Sequence, residues 1–164
     1  MSICAPKVLT PEELGVIRNE LQGAARVEGA STASWHVDAP VMGGLGSAVR
    51  TDLAITLFLS DAKSHTGGDL MVESNGVEYG FKPDAGSAIA YPANSLHHVT
   101  PVTRSARHAA IIWVQSQVRD SAKRELLWEL DNAKRQIFGR EGKSPTFDAI
   151  SKPHANLLRM WADV

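Results

Sequence analysis

Between Trp35 and Gln117 the chain keeps switching between short apolar stretches and turn clusters, and that rhythm limits its fold more than any other feature. Leu53, Ile55, Leu57 and Leu59 alternate with Asp52, Ala54, Thr56 and Phe58, the period-two pattern of a strand. Residues 64–68 cluster turn formers, and residues 69–73 and 78–81 flank Ser74-Asn75-Gly76, a hairpin signal. A second turn cluster at 83–86 separates further strand candidates at 87–91, 96–99 and 107–118. Short strands at close spacing, with no helical segment between them, specify an antiparallel sandwich or barrel.

Helical patterns bracket this β region. Thr10 is an N-cap residue, Pro11 suits the first helical position, and Glu13 lies three residues after Thr10, so a helix is expected over 10–21. Leu14, Val16, Ile17 and Leu21 supply its apolar residues, and the Gly-, Ala- and Ser-rich stretch 23–34 follows with weak periodicity. Asp120 can cap a helix running to Phe138, with Leu126, Leu127, Leu130 and Ile137 on or near one face. Residues 139–145 read as a loop, and 153–162 as a short last helix carrying Leu157, Leu158 and Trp161. Trp113, Trp128 and Trp161 read as core residues. The expected organisation is one domain over 1–164, mainly β with flanking helices: a β core over 35–118 and C-terminal helices over 120–164.

Charge and cysteine content narrow the partners. Seventeen basic residues against 18 acidic give a net charge of -1, so no polyanion- or membrane-binding surface is evident. The one cysteine, Cys4, excludes an intrachain disulfide and a sulfur-rich metal site. Neither a signal peptide nor an apolar membrane span is expected, and cytoplasm is the default compartment.

Three groups of residues carry chemistry. In His36-Val37-Asp38 the imidazole and the carboxylate share one face of an extended chain and can meet one ion. His97 and His98 point to opposite faces if extended, and either completes a set of two histidines and one carboxylate. Such a set leaves open positions on Fe(II) for a bidentate co-substrate and dioxygen, unlike a closed structural zinc site. Arg107 shares a face with Ala109, Ile111 and Trp113. A cation on an otherwise apolar face calls for an anion such as a small dicarboxylate. Arg104, its neighbour, reads as an exposed turn residue. Gly67 and Gly68 read as a tight turn, Tyr91 as a pocket or core residue, and His65, His108 and His154 as structural or exposed.

Several runs together resemble the bacterial PKHD-type hydroxylases, Fe(II)/2-oxoglutarate dioxygenases related to prolyl 4-hydroxylases. They are Arg50-Thr-Asp-Leu-Ala-Ile-Thr-Leu-Phe-Leu-Ser, Gly67-Gly-Asp-Leu70, Tyr91-Pro-Ala-Asn-Ser-Leu-His97 through Arg107, and Trp113-Val-Gln-Ser. The tail from Arg119 to Ala133 and Asn156-Leu-Leu-Arg-Met-Trp161 are similar too. The resemblance implies a double-stranded β-helix (jelly-roll, cupin-like) core. It implies Fe(II) on His36, Asp38 and His97, 2-oxoglutarate paired with Arg107, and no catalytic side chain beyond the metal ligands. It further implies hydroxylation of an unactivated C–H bond of a small-molecule or peptidyl substrate by dioxygen, with release of succinate and CO2, and ascorbate as a reductant for oxidised iron.

The chain departs from that pattern in one place. Family members carry a longer segment before the H-x-D motif, with supporting strands and a tyrosine; here residues 28–35 lead directly into His36. The departure bears on the co-substrate pocket, and the sheet edges it would leave are compatible with a homodimer. The rival reading is a non-catalytic or 2-oxoglutarate-independent cupin-like metal-binding protein.

Overall fold

The computed structural model describes residues 3–20, 34–44 and 46–163. In chain order the elements are β1 (Ile3–Ala5), α1 (Pro11–Glu20), β2 (Val41–Met42), β3 (Val49–Arg50), β4 (Leu53–Phe58), β5 (Leu70–Ser74), β6 (Val77–Phe81), β7 (Ala88–Pro92), β8 (His97–Val99), β9 (Ala109–Val114), α2 (Ser121–Glu141) and α3 (Pro145–Trp161). They divide into two compact units, Met1–Gln115 and Ser116–Val164.

The first unit is built on antiparallel sheets. One has the strand order β1-β7-β4-β9, a second β6-β5-β8, and β2 pairs with β3. Asn75 and Gly76 both take positive φ, 54° and 77°, which makes the β5–β6 connection the tight hairpin that Asn-Gly favours. Side chains from the two larger sheets meet in one core: Ala54 and Phe58 of β4, Leu70 and Val72 of β5, and Ile89 and Tyr91 of β7. Strand order and shared core are those of a double-stranded β-helix.

The alternation in β4 covers both faces of that strand. Ala54, Thr56 and Phe58 are buried toward the opposing sheet side. Ile55, Leu57 and Leu59, the apolar row that marks the strand in the sequence, face the other way and pack with Leu14 and Ile17 of α1. Helix α1 starts as its capping box dictates. The Thr10 backbone N–H donates to Glu13 Oε2 at 2.8 Å, and the Glu13 N–H to Thr10 Oγ1 at 3.2 Å. Val16 is exposed rather than in the stripe. Leu21 and residues 23–33, including most of the departure from the family pattern, lie outside the described residues.

The second unit is a pair of packed helices. Asp120 caps α2 by accepting from the Ala122 and Lys123 N–H groups. The Phe138 and Phe147 rings lie 5.3 Å apart at one end, and Lys123 Nζ sits 5.4 Å from the Trp161 ring at the other, so α2 and α3 run antiparallel. Two boundaries differ from the sequence expectation. Helix α2 continues through Gly139 to Glu141 and stops at Gly142, whose φ of 66° breaks it. Helix α3 begins at Pro145, eight residues before the expected start. Ser144 caps it, accepting from the Phe147 N–H at 3.2 Å, and Pro153 sits inside it. The stripe Phe147, Ile150, His154, Leu157 and Trp161 is partly buried along its length, and that packing outweighs the one N–H that Pro153 removes. Leu127 is buried, whereas Leu126 and Trp128 are 50% and 41% exposed and are not core residues.

Candidate metal centre

His97 faces inward because β8 pairs with β5 in the register that sets it opposite Val72, a core residue. His98 then stands opposite Met71 on the outer face and contacts the Trp35 ring at 4.3 Å between centroids. The sequence left His97 and His98 as alternatives; the sheet register brings His97 to the inner side. His36 joins it through a two-bond antiparallel bridge: the His36 N–H donates to the His97 carbonyl oxygen at 3.1 Å, and the His97 N–H returns to His36 at 2.9 Å. Asp38 is fixed two residues on by its N–H donating to Ala93 O at 3.1 Å.

The donor atoms of His36, Asp38 and His97 lie within 4.8 Å of one another, the one such cluster of three among the described residues. His36 Nδ1 lies 2.9 Å from Ser34 O, and His97 Nδ1 lies 3.0 Å from Ser95 O. Carbonyl oxygens only accept, so each imidazole carries a proton on Nδ1, and its neutral tautomer presents Nε2 as the atom a metal ion takes up. His97 Nε2 is 3.7 Å from Asp38 Oδ1, and Asp38 Oδ2 is buried without a hydrogen-bond partner among the described residues. Two oriented imidazoles beside an unsatisfied carboxylate fit a divalent cation. The oxygen- and nitrogen-donor set suits Fe(II).

Arg107 lies at the head of the inner row of β9. The β4–β9 register places Ala109, Ile111 and Trp113 opposite Phe58, Thr56 and Ala54, and the Arg107 guanidinium carbon stands 5.2 Å from the Phe58 ring centroid. Its Nε and Nη2 are buried with no hydrogen-bond partner among the described residues. Burial holds its pKa below the ordinary value, opposed by Tyr91 and Asp69. A buried guanidinium group without a partner is costly, and pairing with an anion would offset that cost. Tyr91 connects the two sites. It is buried, its ring is 5.0 Å from that of His97, and burial raises its pKa, helped by the Asp38 charge and opposed by a Thr56 hydrogen bond and by Arg107.

Two features went unread in the sequence. Gly68 is the floor under Arg107 as well as a turn residue: a Cβ there would lie 2.7 Å from Arg107 Cδ, and φ is +74°. His65 is 4% exposed and borders the same glycine. Its place three residues before Gly68 was visible, but only the fold brings it to Arg107. Of the other residues singled out, Arg104 is exposed and donates to Thr66 Oγ1 at 3.1 Å, and His108 is exposed beside Ser60 Oγ at 3.2 Å.

Comparison with known proteins adds a family. Residues 23–115 match the 2OG-Fe(II) oxygenase superfamily, and residues 121–163 match the PKHD-type hydroxylase C-terminal domain. A PKHD-type hydroxylase of Acaryochloris marina is 51% identical over 128 residues, 78% of this chain and 57% of that protein. A PKHD-type hydroxylase of Synechococcus elongatus is 49% identical over the same shares. The chain thus spans a little over half the length of these relatives. Among solved structures, a Pseudomonas putida prolyl-4-hydroxylase aligns over 70% of this chain and 92% of its own, at 13% identity and a TM-score of 0.49. No described helix is long and apolar enough to cross a membrane.

Proposed function

This chain belongs to the 2OG-Fe(II) oxygenase superfamily and carries a PKHD-type C-terminal domain, and from that premise we propose that it hydroxylates an unactivated C–H bond, holding Fe(II) on His36, Asp38 and His97 and 2-oxoglutarate on Arg107. Family membership implies both Fe(II) and 2-oxoglutarate. When bound, they supply the oxidative chemistry: dioxygen is consumed, 2-oxoglutarate leaves as succinate and CO2, and a hydroxyl group is delivered to the substrate.

The observation that carries the reading is Arg107. A guanidinium whose Nε and Nη2 are buried and unpartnered among the described residues, on the same inner surface as the histidine–carboxylate cluster, favours a co-substrate with a carboxylate at its far end. A metal-binding module with no such co-substrate has no use for it. The protein's own tasks are then distinct. His36 and His97 hold their protons on Nδ1 so that Nε2 stays free, Asp38 supplies the anionic ligand, and Arg107 sets the depth at which the co-substrate lies. Phe58, Tyr91 and Trp113 line an apolar interior that keeps water from the reacting centre. The substrate, small-molecule or peptidyl, and dioxygen complete the reaction.

The test is succinate formation by the Fe(II)-loaded protein with 2-oxoglutarate and air, with no added substrate, since slow uncoupled turnover consumes co-substrate. Succinate at a rate above that of the His97→Ala protein supports the reading. Tight metal binding with no succinate favours the rival, a metal-binding protein without this reaction.

A further inference from the structure

We propose that His65 is a second recognition residue for the distal carboxylate of 2-oxoglutarate, taking up a proton on binding and donating from Nε2 beside Arg107. The inference rests on the reading of Arg107 above and deepens it.

His65 is almost wholly enclosed, at 4% exposure, yet its Nε2 is buried with no hydrogen-bond partner among the described residues. A buried histidine in a purely structural role normally satisfies both ring nitrogens. Here, among the described residues, only Nδ1 has polar neighbours: Ser64 Oγ at 3.3 Å and the Asp61 carbonyl, which favours the protonated ring. The Ser64 hydroxyl donates its own proton to Asp61 O at 2.7 Å, which leaves its oxygen to accept from His65 Nδ1–H. The neutral ring therefore keeps a bare lone pair on Nε2.

Gly68 places that nitrogen next to Arg107. A methyl carbon built on the glycine would lie 2.7 Å from Arg107 Cδ, 3.1 Å from His65 Cδ2 and 3.2 Å from His65 Nε2. The absent side chain lets both groups line one recess. The segment is held there by Gly68 N–H on Thr100 O at 3.1 Å and by Lys82 Nζ, which donates to His65 O at 3.2 Å.

The charges around the ring explain why it waits for an anion. Lys82 and Arg107 act on it as cations, and Asp69 is the one opposing carboxylate. Asp69 is engaged, accepting from Thr100 Oγ1 at 3.1 Å; the exposed Arg104 is turned to Thr66 Oγ1. Burial first, then Lys82 and Arg107, hold the His65 pKa below its ordinary value, so the ring is neutral at pH 7.5. A carboxylate arriving between His65 and Arg107 reverses the balance and favours the imidazolium. The sign follows. The pKa is low in the free protein and higher in the complex, so binding consumes a proton between the two values, and affinity rises as pH falls through that window.

The experiment is calorimetric titration of 2-oxoglutarate into the Mn(II)-loaded protein, which avoids iron oxidation and needs no turnover. It is run at pH 7.5 in phosphate and in Tris, and then from pH 6.5 to 8.5 in one buffer. The expected result is net proton uptake on binding, and affinity that falls with rising pH. His65→Gln removes the uptake and flattens the pH profile, and His65→Leu weakens binding about tenfold at pH 6.5, the usual effect of losing a hydrogen bond to a charged group. The wild-type measurements stand even if a variant fails to fold. Binding without proton uptake and with a flat profile overturns the role of His65 and leaves Arg107 intact, as does uptake that persists in His65→Gln. No 2-oxoglutarate binding by the metal-loaded wild type overturns both.

Discussion

Replacing Gly68 by alanine pushes a methyl group into the recess that Arg107 occupies. The new Cβ would lie 2.7 Å from Arg107 Cδ and 3.1 Å from the His65 ring, at a φ of +74°. Two costs arise. The left-handed backbone costs a non-glycine residue about 1–2 kcal/mol, which lowers the melting temperature by roughly 2–8 °C. The contact is a separate matter, because Arg107 Cδ has to shift and the guanidinium shifts with it. Gly76 provides the control: its φ is +77°, yet a Cβ there meets nothing within 4 Å. Gly76→Ala therefore carries the backbone strain alone. Gly68→Ala should lose at least as much stability as Gly76→Ala. Only Gly68→Ala should weaken 2-oxoglutarate binding, by about tenfold, the equivalent of one impaired charge-assisted hydrogen bond, with metal content unchanged. Thermal melts and calorimetric titration of the Mn(II)-loaded proteins measure the two effects. Equal co-substrate affinity in the two variants would refute the claim that Gly68 seats Arg107.

Two other perturbations separate the metal site from the anion site. Asp38→Ala should reduce metal affinity by at least about 100-fold, beyond the loss typical of removing an outer-shell partner, as measured by metal analysis after dialysis. The metal-free variant should melt no lower than the metal-free wild type, because Asp38 Oδ2 is buried without a partner; a marked drop in stability would make Asp38 a structural residue instead. Arg107→Ala should bind metal normally but lose about 2–5 kcal/mol of 2-oxoglutarate affinity, with Arg107→Lys intermediate because it keeps the charge and loses the planar fork. Unchanged affinity in Arg107→Ala would remove the anion site from this part of the fold.

Local patterns carried much of this structure into the sequence. The Thr10–Glu13 capping box, the Asn75-Gly76 hairpin and the alternation in β4 are short-range features, and each became the expected element. His36 and Asp38 share a face because they are two apart, and Arg107 continues the inner row of β9. What stayed hidden depends on long-range contact. Alternation in β4 defines two faces but not which is inward, and its more apolar row turned out to face α1. Strand β1 is three residues whose pairing with residues 88–90 has no local signature. His65 and Gly68 look like a turn until the chain returns with Arg107. The start of α3 was legible in Ser144-Pro145, a cap followed by a first-turn proline, but Pro153 drew the boundary to itself.

If Fe(II) and 2-oxoglutarate share one site, anaerobic titration registers their chelate. Fe(II) is added first and then 2-oxoglutarate, while the visible spectrum is followed for the weak charge-transfer band of the chelate. The band should appear only with both present, saturate at one equivalent of each, and be absent in His97→Ala. A band unaffected by His97→Ala, or none in the wild type with iron bound, would rule out the shared site.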